Sequence, residues 1–165
     1  MTKEHFQHII TPFQDKLYRL ALRLTNSRVE AKDVVQEVFI KLWQQRQELS
    51  KVNNVEAWSM RLTRNLAIDK TRSKHRRTED ISGVFHLASP QASPYQVAES
   101  QDTMTRIKQL MQQLPEQQRL CMHLRDIEEM AYQEIAETLE ISLSQVKVNL
   151  FRARSKMRKL LDRSS

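Results

Sequence analysis

The stretch from Tyr132 to Leu161 restricts the fold more than any other, because its apolar residues recur with a helical period, pause once, and recur again. Ile135, Ala136 and Leu139 form the stripe of a first helix, and Ile141 lies in the turn that follows. Ser142 or Ser144 can N-cap the next helix, since a hydroxyl there accepts one of the orphan backbone N–H groups. Val146, Leu150, Ala153, Met157 and Leu160 then follow at spacings of four, three, four and three, which keeps them on one face. At about 100° per residue, Ser144, Gln145, Val148, Phe151, Arg152, Ser155 and Lys159 point away from that face. This is the layout of a helix-turn-helix, whose second helix reads the major groove of DNA with its N-terminal residues.

An ordinary helical hairpin with a solvated basic face shares that periodicity, and charge placement separates the two readings. Gln101 to Glu140 holds four basic residues (Arg106, Lys108, Arg119, Arg125) against eight acidic ones. Ile141 to Ser165 holds seven basic residues, opposed by Asp162 alone. A solvated surface mixes its signs, whereas segregated positive charge suits a polyanion whose condensed counterions it can release.

The rest of the chain agrees with a helical, nucleic-acid-directed reading. One glycine and four prolines in 165 residues leave few tight turns, so the predicted fold class is all-α. The formal net charge of +7 points to nucleic acid or an acidic surface. Cys121 is the one cysteine, which excludes an intramolecular disulfide and fits a reducing cytoplasm. Its neighbours Leu120, Met122 and Leu124 make it a core residue. No apolar run approaches the ~18 residues of a membrane span, so no membrane insertion is expected. The opening MTKEHFQHII lacks a signal-peptide core.

Taken in order, a first helix is predicted from Thr11-Pro12, with Leu17, Leu20, Ala21 and Leu24 at helical spacing. A second runs from about Val29 to Gln47, with Val35, Val38, Phe39 and Leu42 on one face and Lys32, Asp33, Gln36, Glu37 and Lys41 on the other. Trp43 covers the end of that core. After a polar break at 49–54, Asn53 or Asn54 caps a third helix, and Asn53 with Glu56 resembles a capping box. That helix puts Trp58, Leu62, Leu66 and Asp69 on one side, with Arg61, Arg64 and Asn65 alongside. Five basic residues then crowd 70–77, more than the helix dipole requires, and with Trp58 upstream they suit single-stranded nucleic acid. Residues 79–100 contain no lysine or arginine but Pro90, Pro94 and Gly83, and read as a flexible linker. The expected domains are therefore 1–78 and 101–165. The second opens with Ile107, Leu110, Met111 and Leu114, restarts at Pro115, and forms a four-helix unit ending in the helix-turn-helix.

Catalytic chemistry finds no support. The five histidines lack partners at metal-ligand spacing, a lone cysteine cannot complete a thiolate site, and there is no glycine-rich phosphate loop. Glu134 and Glu137 lie opposite an apolar stripe, where solvated carboxylates are expected. No enzyme, metal or cofactor is read.

Three segments in this order, VEAKDVVQEVFIKLW (Val29–Trp43), EAWSMRLTRNLAIDKTRSKHRR (Glu56–Arg77) and YQEIAETL with VKVNLFRARSKMRKL, resemble the bacterial RNA polymerase sigma factors of the extracytoplasmic-function (ECF) group. The resemblance spans nearly all of the chain outside 79–100. It implies a transcription initiation factor in which 1–78 is region 2 and 101–165 is region 4. Asp33, Gln36 and Glu37 would dock the clamp helices of the β′ subunit of core RNA polymerase, with the β subunit as a further partner. The segment Lys51–Arg77 would recognise and open the −10 promoter element: Asn53 and Asn54 close to a flipped base, and Trp58, Arg61, Arg64 and Asn65 near the melted strand. Extruding a base costs a few kcal/mol, which a pocket with basic contacts can offset. Lys147, Val148, Phe151 and Arg152 match the family's −35 contacts, and three of them already face outward by periodicity. An anti-sigma factor is implied as an additional partner. The chain departs from the family pattern at Ala131, where a capping serine is frequent, at Ser144, where glycine is common, and at Asn149, often arginine. These departures bear on the promoter read, not on the fold. The competing readings are a helix-turn-helix repressor or activator, which would normally bind paired half-sites through a dimer, and a DNA-processing enzyme, which needs a nucleophile or carboxylate cluster that is missing here.

Overall fold

A computed structural model describes residues 2–80 and 103–164, so most of the expected linker, from residue 81, lies outside the described residues. Every described regular element is helical. The described chain divides into two compact units, one holding Met1–Arg77 and Gln133–Ile141, the other Thr78–Tyr132 and Ser142–Ser165.

Helix α1 (Lys3–Ile10) precedes the first helix expected from the sequence. Thr2 caps it by accepting the His5 N–H at 3.2 Å, and Phe6 and Ile10, four residues apart, are buried. Pro12 does start a helical turn, but a separate 3₁₀ turn over Thr11–Phe13, and α2 (Gln14–Thr25) begins only afterwards. The overlooked signal was the threonine three residues ahead of a backbone donor, followed by apolar residues at i and i+4. Asn26 ends α2 in the left-handed region, at φ 52°, and Ser27 caps α3 (Arg28–Gln44) by accepting the Glu30 N–H. A one-turn helix, α4 (Arg46–Leu49), follows. Helices α2 and α3 pack together, burying Leu17, Leu20 and Ala21 with Ala31, Val34, Val38 and Leu42.

Helix α5 (Val55–Asp80) corrects two expectations. Its cap is Asn54, whose Oδ1 accepts the Ala57 N–H at 2.9 Å; Glu56 is released from any capping role and pairs with Lys16 at 2.8 Å. Its buried side is Ala57, Ser59, Met60, Thr63 and Ala67, whereas Trp58, Leu62 and Leu66 are half-buried and Asp69 is exposed. Met60 fills that side among smaller residues, while Trp58, Leu62 and Leu66 lie on its flanks. The two buried hydroxyls stay satisfied by donating one turn back, Ser59 to Val55 O at 2.7 Å and Thr63 to Ser59 O at 2.8 Å.

In the second unit α6 (Thr103–Met111) is followed by α7 (Glu116–Met122), with Pro115 at its N-cap as the sequence suggested. A π turn (His123–Ile127) widens the helix end, and the Glu128 N–H bonds to His123 O at 3.1 Å. Inside it His123 Nε2 and Glu128 Oε2 approach to 3.2 Å, with both side chains only 1% exposed. Two titratable groups thus lie side by side out of water at the end of this turn. Of the last two helices, α8 (Tyr132–Leu139) belongs from Gln133 onward to the first unit and α9 (Leu143–Ser164) to the second. Met111, Leu114, Ala153 and Met157 form a buried cluster with Ile107, Leu110 and Leu160 against it, which is the apolar stripe expected of α9.

Candidate nucleic-acid interface

The link from α8 to α9 is built by local chemistry. Ile141 N bonds to Ala136 O at 3.1 Å across Glu140, which sits at φ 57° in the left-handed region. That closes α8 with a Schellman motif, although a glutamate occupies the position glycine favours. Of the two candidate caps, Ser142 is used: its Oγ accepts the Gln145 N–H at 3.1 Å, and Gln145 Oε1 accepts the Ser142 N–H at 2.9 Å. This reciprocal capping box orients the start of α9.

Beyond that cap α9 presents Lys147, Val148, Phe151 and Arg152, all exposed. Phe151 is 73% exposed and Val148 44%, so two large apolar side chains stand in water among cations. Two shallow clefts flank Phe151: one of about 260 Å³ that includes Lys147 and Arg158, the other of about 410 Å³ that includes Arg152, Lys156 and Lys159. The four residues singled out from sequence are thus brought together on one open face. A flat aromatic between cationic hollows can touch base edges or thymine methyls while the cations meet phosphates.

Not every cation of α9 is available. Arg154 grips Asp126 with two contacts, Nη2 to Oδ1 at 2.7 Å and Nε to Oδ2 at 3.4 Å. The hydrogen bond to Asp126 raises its pKa above the ordinary arginine value. Asn149 donates to Gln117 Oε1 at 3.2 Å, so it ties α9 to α7. Neither role was visible in the sequence, since neither partner is near in the chain. Arg125 lies over the Tyr132 ring at 4.8 Å and donates to Met130 O at 2.9 Å, bracing the turn before α8, where Ala131 offers no capping side chain. Cys121 is buried, as expected, and burial pushes its thiol up to about 11, which keeps it protonated and unreactive at neutral pH.

The first unit carries a second candidate surface on α5. Trp58, Arg61 and Asn65, at i, i+3 and i+7, flank the buried side of α5, the first two half-buried and Asn65 exposed. With Val52, Asn53, Asn54 and Ala57 the first two line a hollow of about 470 Å³. Asn54 also donates to Glu134 Oε2 at 3.0 Å, and Arg61 lies 3.8 Å from Glu140, both within this unit. Arg64 is separated from the group: it sits nearer the buried side and donates to Asn65 Oδ1 at 3.1 Å. The basic run after it is divided too. Lys70 meets Glu37 at 2.9 Å and Lys74 meets Glu30 at 3.4 Å, so part of the excess positive charge joins α5 to α3.

On α3, Asp33, Gln36 and Glu37 are exposed, as the sequence suggested. Two apolar residues not singled out earlier lie in the same line: Val29, 72% exposed, and Ile40, 57% exposed. Val29, Asp33, Gln36 and Ile40 recur at i, i+4, i+7 and i+11, an unpartnered stripe with apolar ends. At the end of α3 Trp43 packs edge-on against Phe6 with ring centroids 5.1 Å apart, and Arg46 stacks on it at 4.2 Å. Among the described residues no group of histidine, cysteine and carboxylate side chains is arranged to hold a metal, and no helix is long and apolar enough to cross a membrane.

These features define an all-helical nucleic-acid-binding protein with two separate candidate surfaces. Residues 9–77 match the family described as Sigma-70 region 2, and residues 104–157 match Sigma-70, region 4. The chain is 28% identical over 162 residues to the ECF RNA polymerase sigma factor SigE of Mycolicibacterium smegmatis, covering 97% of this chain and 63% of that protein. It is 27% identical over 168 residues to the ECF sigma factor SigW of Bacillus subtilis, covering 96% and 90% of the two chains. In fold it is similar to the sigma factor RpoE solved with the anti-sigma factor NepR from Bartonella quintana, with a TM-score of 0.77, 22% identity, and coverage of 96% of this chain and 98% of that one. CnrH, solved with the cytosolic domain of CnrY, gives a TM-score of 0.71 at 22% identity, with 99% and 92% covered. The chain belongs to the sigma-70 family, in its ECF group. It is a transcription initiation factor whose partners are core RNA polymerase and promoter DNA.

Proposed function

We propose a division of labour between the two surfaces. Region 2, residues 1–78, docks the polymerase through Asp33, Gln36 and Glu37 on α3, facing the β′ clamp helices, and opens the −10 element through α5. There Asn53, Asn54, Trp58 and Arg61 border a hollow that suits an extruded base, while Asn65, and Arg64 through it, face the melted strand. Region 4, residues 101–165, reads the −35 element with Lys147, Val148, Phe151 and Arg152, and contacts the β subunit. The segment 79–100 links them. The protein acts by binding rather than by covalent chemistry, in the cytoplasm, and an anti-sigma factor of the kind seen with the two structural relatives restrains it.

The observation that carries this reading is Phe151. Left 73% exposed beside Val148 and rimmed by cations, opposite the stripe that buries Ala153 and Met157, it forms an apolar patch of the kind that a partner covers. Run-off transcription with purified core polymerase on a pool of genomic promoter fragments is the test. Discrete transcripts that depend on this protein are expected; none from any fragment would refute the assignment. A repressor or activator would instead bind a site without polymerase and yield no new start.

A further inference from the structure

The cations of α9 fall into two groups. Arg154 is spent on Asp126. Arg152, Lys156, Lys159 and Arg163 are all exposed, and among the described residues none of them makes an ion pair. They recur at i, i+4, i+7 and i+11, a single ridge that starts at the proposed −35 contacts and runs toward the end of a 22-residue helix. All four line the same cleft of about 410 Å³ beside Phe151, so the ridge is a continuous strip of positive charge and not cations scattered over a mixed surface.

We propose that Lys156 and Lys159 bind backbone phosphates of the duplex along one wall of the groove that α9 enters. The inference rests on the −35 reading of Lys147 to Arg152. A recognition helix meets base edges with its first turns and rises out of the groove beyond them. At about 1.5 Å per residue Lys156 stands roughly 6 Å and Lys159 roughly 10 Å along the axis from Arg152, within the reach of long side chains to the groove wall. Arg163, roughly 16 Å along, stands clear of it. Phosphate contacts carry no sequence information, so the two lysines set affinity and register while the first turns set specificity.

The experiment is promoter binding by the reconstituted holoenzyme, measured against salt concentration on duplexes with the intact and with a scrambled −35 element. Each phosphate contact contributes about 0.9 to the slope of log K against log salt. Lys156→Ala with Lys159→Ala is expected to make that slope shallower by nearly 2 on both duplexes. The preference for the intact element should stay unchanged, and Lys156→Arg with Lys159→Arg should restore the slope. An unchanged slope overturns the proposal, as does a loss confined to the intact element. Arg152→Ala, run in parallel, separates the two levels. If it lowers the preference for the intact element while the lysine pair leaves the slope unmoved, only the phosphate ridge fails. If it leaves the preference intact, the −35 reading itself fails.

Discussion

Two glutamates adopt backbone conformations that their side chains oppose. Glu129 has φ 58° and Glu140 φ 57°, each at the turn flanking α8. For a residue with a Cβ the left-handed region costs about 1–2 kcal/mol, and glycine escapes that cost while losing more entropy on folding. Glu129→Gly should therefore raise stability by roughly 0.5–1 kcal/mol, read as a higher urea midpoint at unchanged m-value. A lower midpoint would mean that the Glu129 side chain contributes more than its backbone costs. The buried His123 and Glu128 pair beside it illustrates the opposite case, in which an awkward side chain is held by its partner. None of the five histidines has metal-ligand spacing in the sequence, and it is the π turn that brings one of them to face a carboxylate.

At the scale of elements, the α3–α5 contact places one residue in two roles. Glu37 is exposed on the proposed polymerase face and also pairs with Lys70, 33 positions away in the chain. The pair is solvent-accessible, so its contribution to stability is small, about 0–1 kcal/mol. A charge swap separates the roles. Glu37→Lys alone should weaken polymerase association and lower stability slightly. Adding Lys70→Glu should recover the stability, seen in thermal melting, but not the affinity, seen in binding titrations with core polymerase. Recovery of both would make Glu37 a helix tie and leave docking to Asp33 and Gln36. Exposed Val29 and Ile40 at either end of the same stripe favour docking, because apolar residues aligned with polar ones on an open helix face are typical of a surface that becomes covered.

At the scale of the whole molecule, the two proposed DNA contacts on one chain act as linked modules whose free energies add when neither alters the other. Trp58→Ala in region 2 and Arg152→Ala in region 4 should each weaken promoter binding by the holoenzyme, by about 1–3 kcal/mol. The double variant should lose the sum to within about 0.5 kcal/mol, as sites that share no partners do. A double loss well below the sum would show that the two surfaces engage the promoter as one cooperative step. Permanganate footprinting of the −10 bases would distinguish their tasks, since only Trp58→Ala should reduce opening in complexes that have already formed.

How much of this was legible from residues alone follows from the range of the forces involved. Periodicity and capping are local, so the sequence by itself determined the helical class, the α9 stripe of Val146, Leu150, Ala153 and Met157, and the outward placement of Phe151 and Arg152. Where local signals competed it left choices open, as between Ser142 and Ser144 or between Asn53 and Asn54, and it suggested an Asn53–Glu56 capping box that does not form, because a cap depends on one rotamer at one backbone angle. Tertiary structure alone decided which charges are spent internally. Arg154 finds Asp126 28 positions back, Lys70 finds Glu37 across two helices, and Lys156 and Lys159 find no carboxylate among the described residues. It also turned Met60, Ser59 and Thr63 inward on α5 in place of Trp58, Leu62 and Leu66, since the buried face of a helix is set by the partners it packs against. Side-chain chemistry along the chain states what each residue can do; only the folded neighbourhood settles which cations remain to do it.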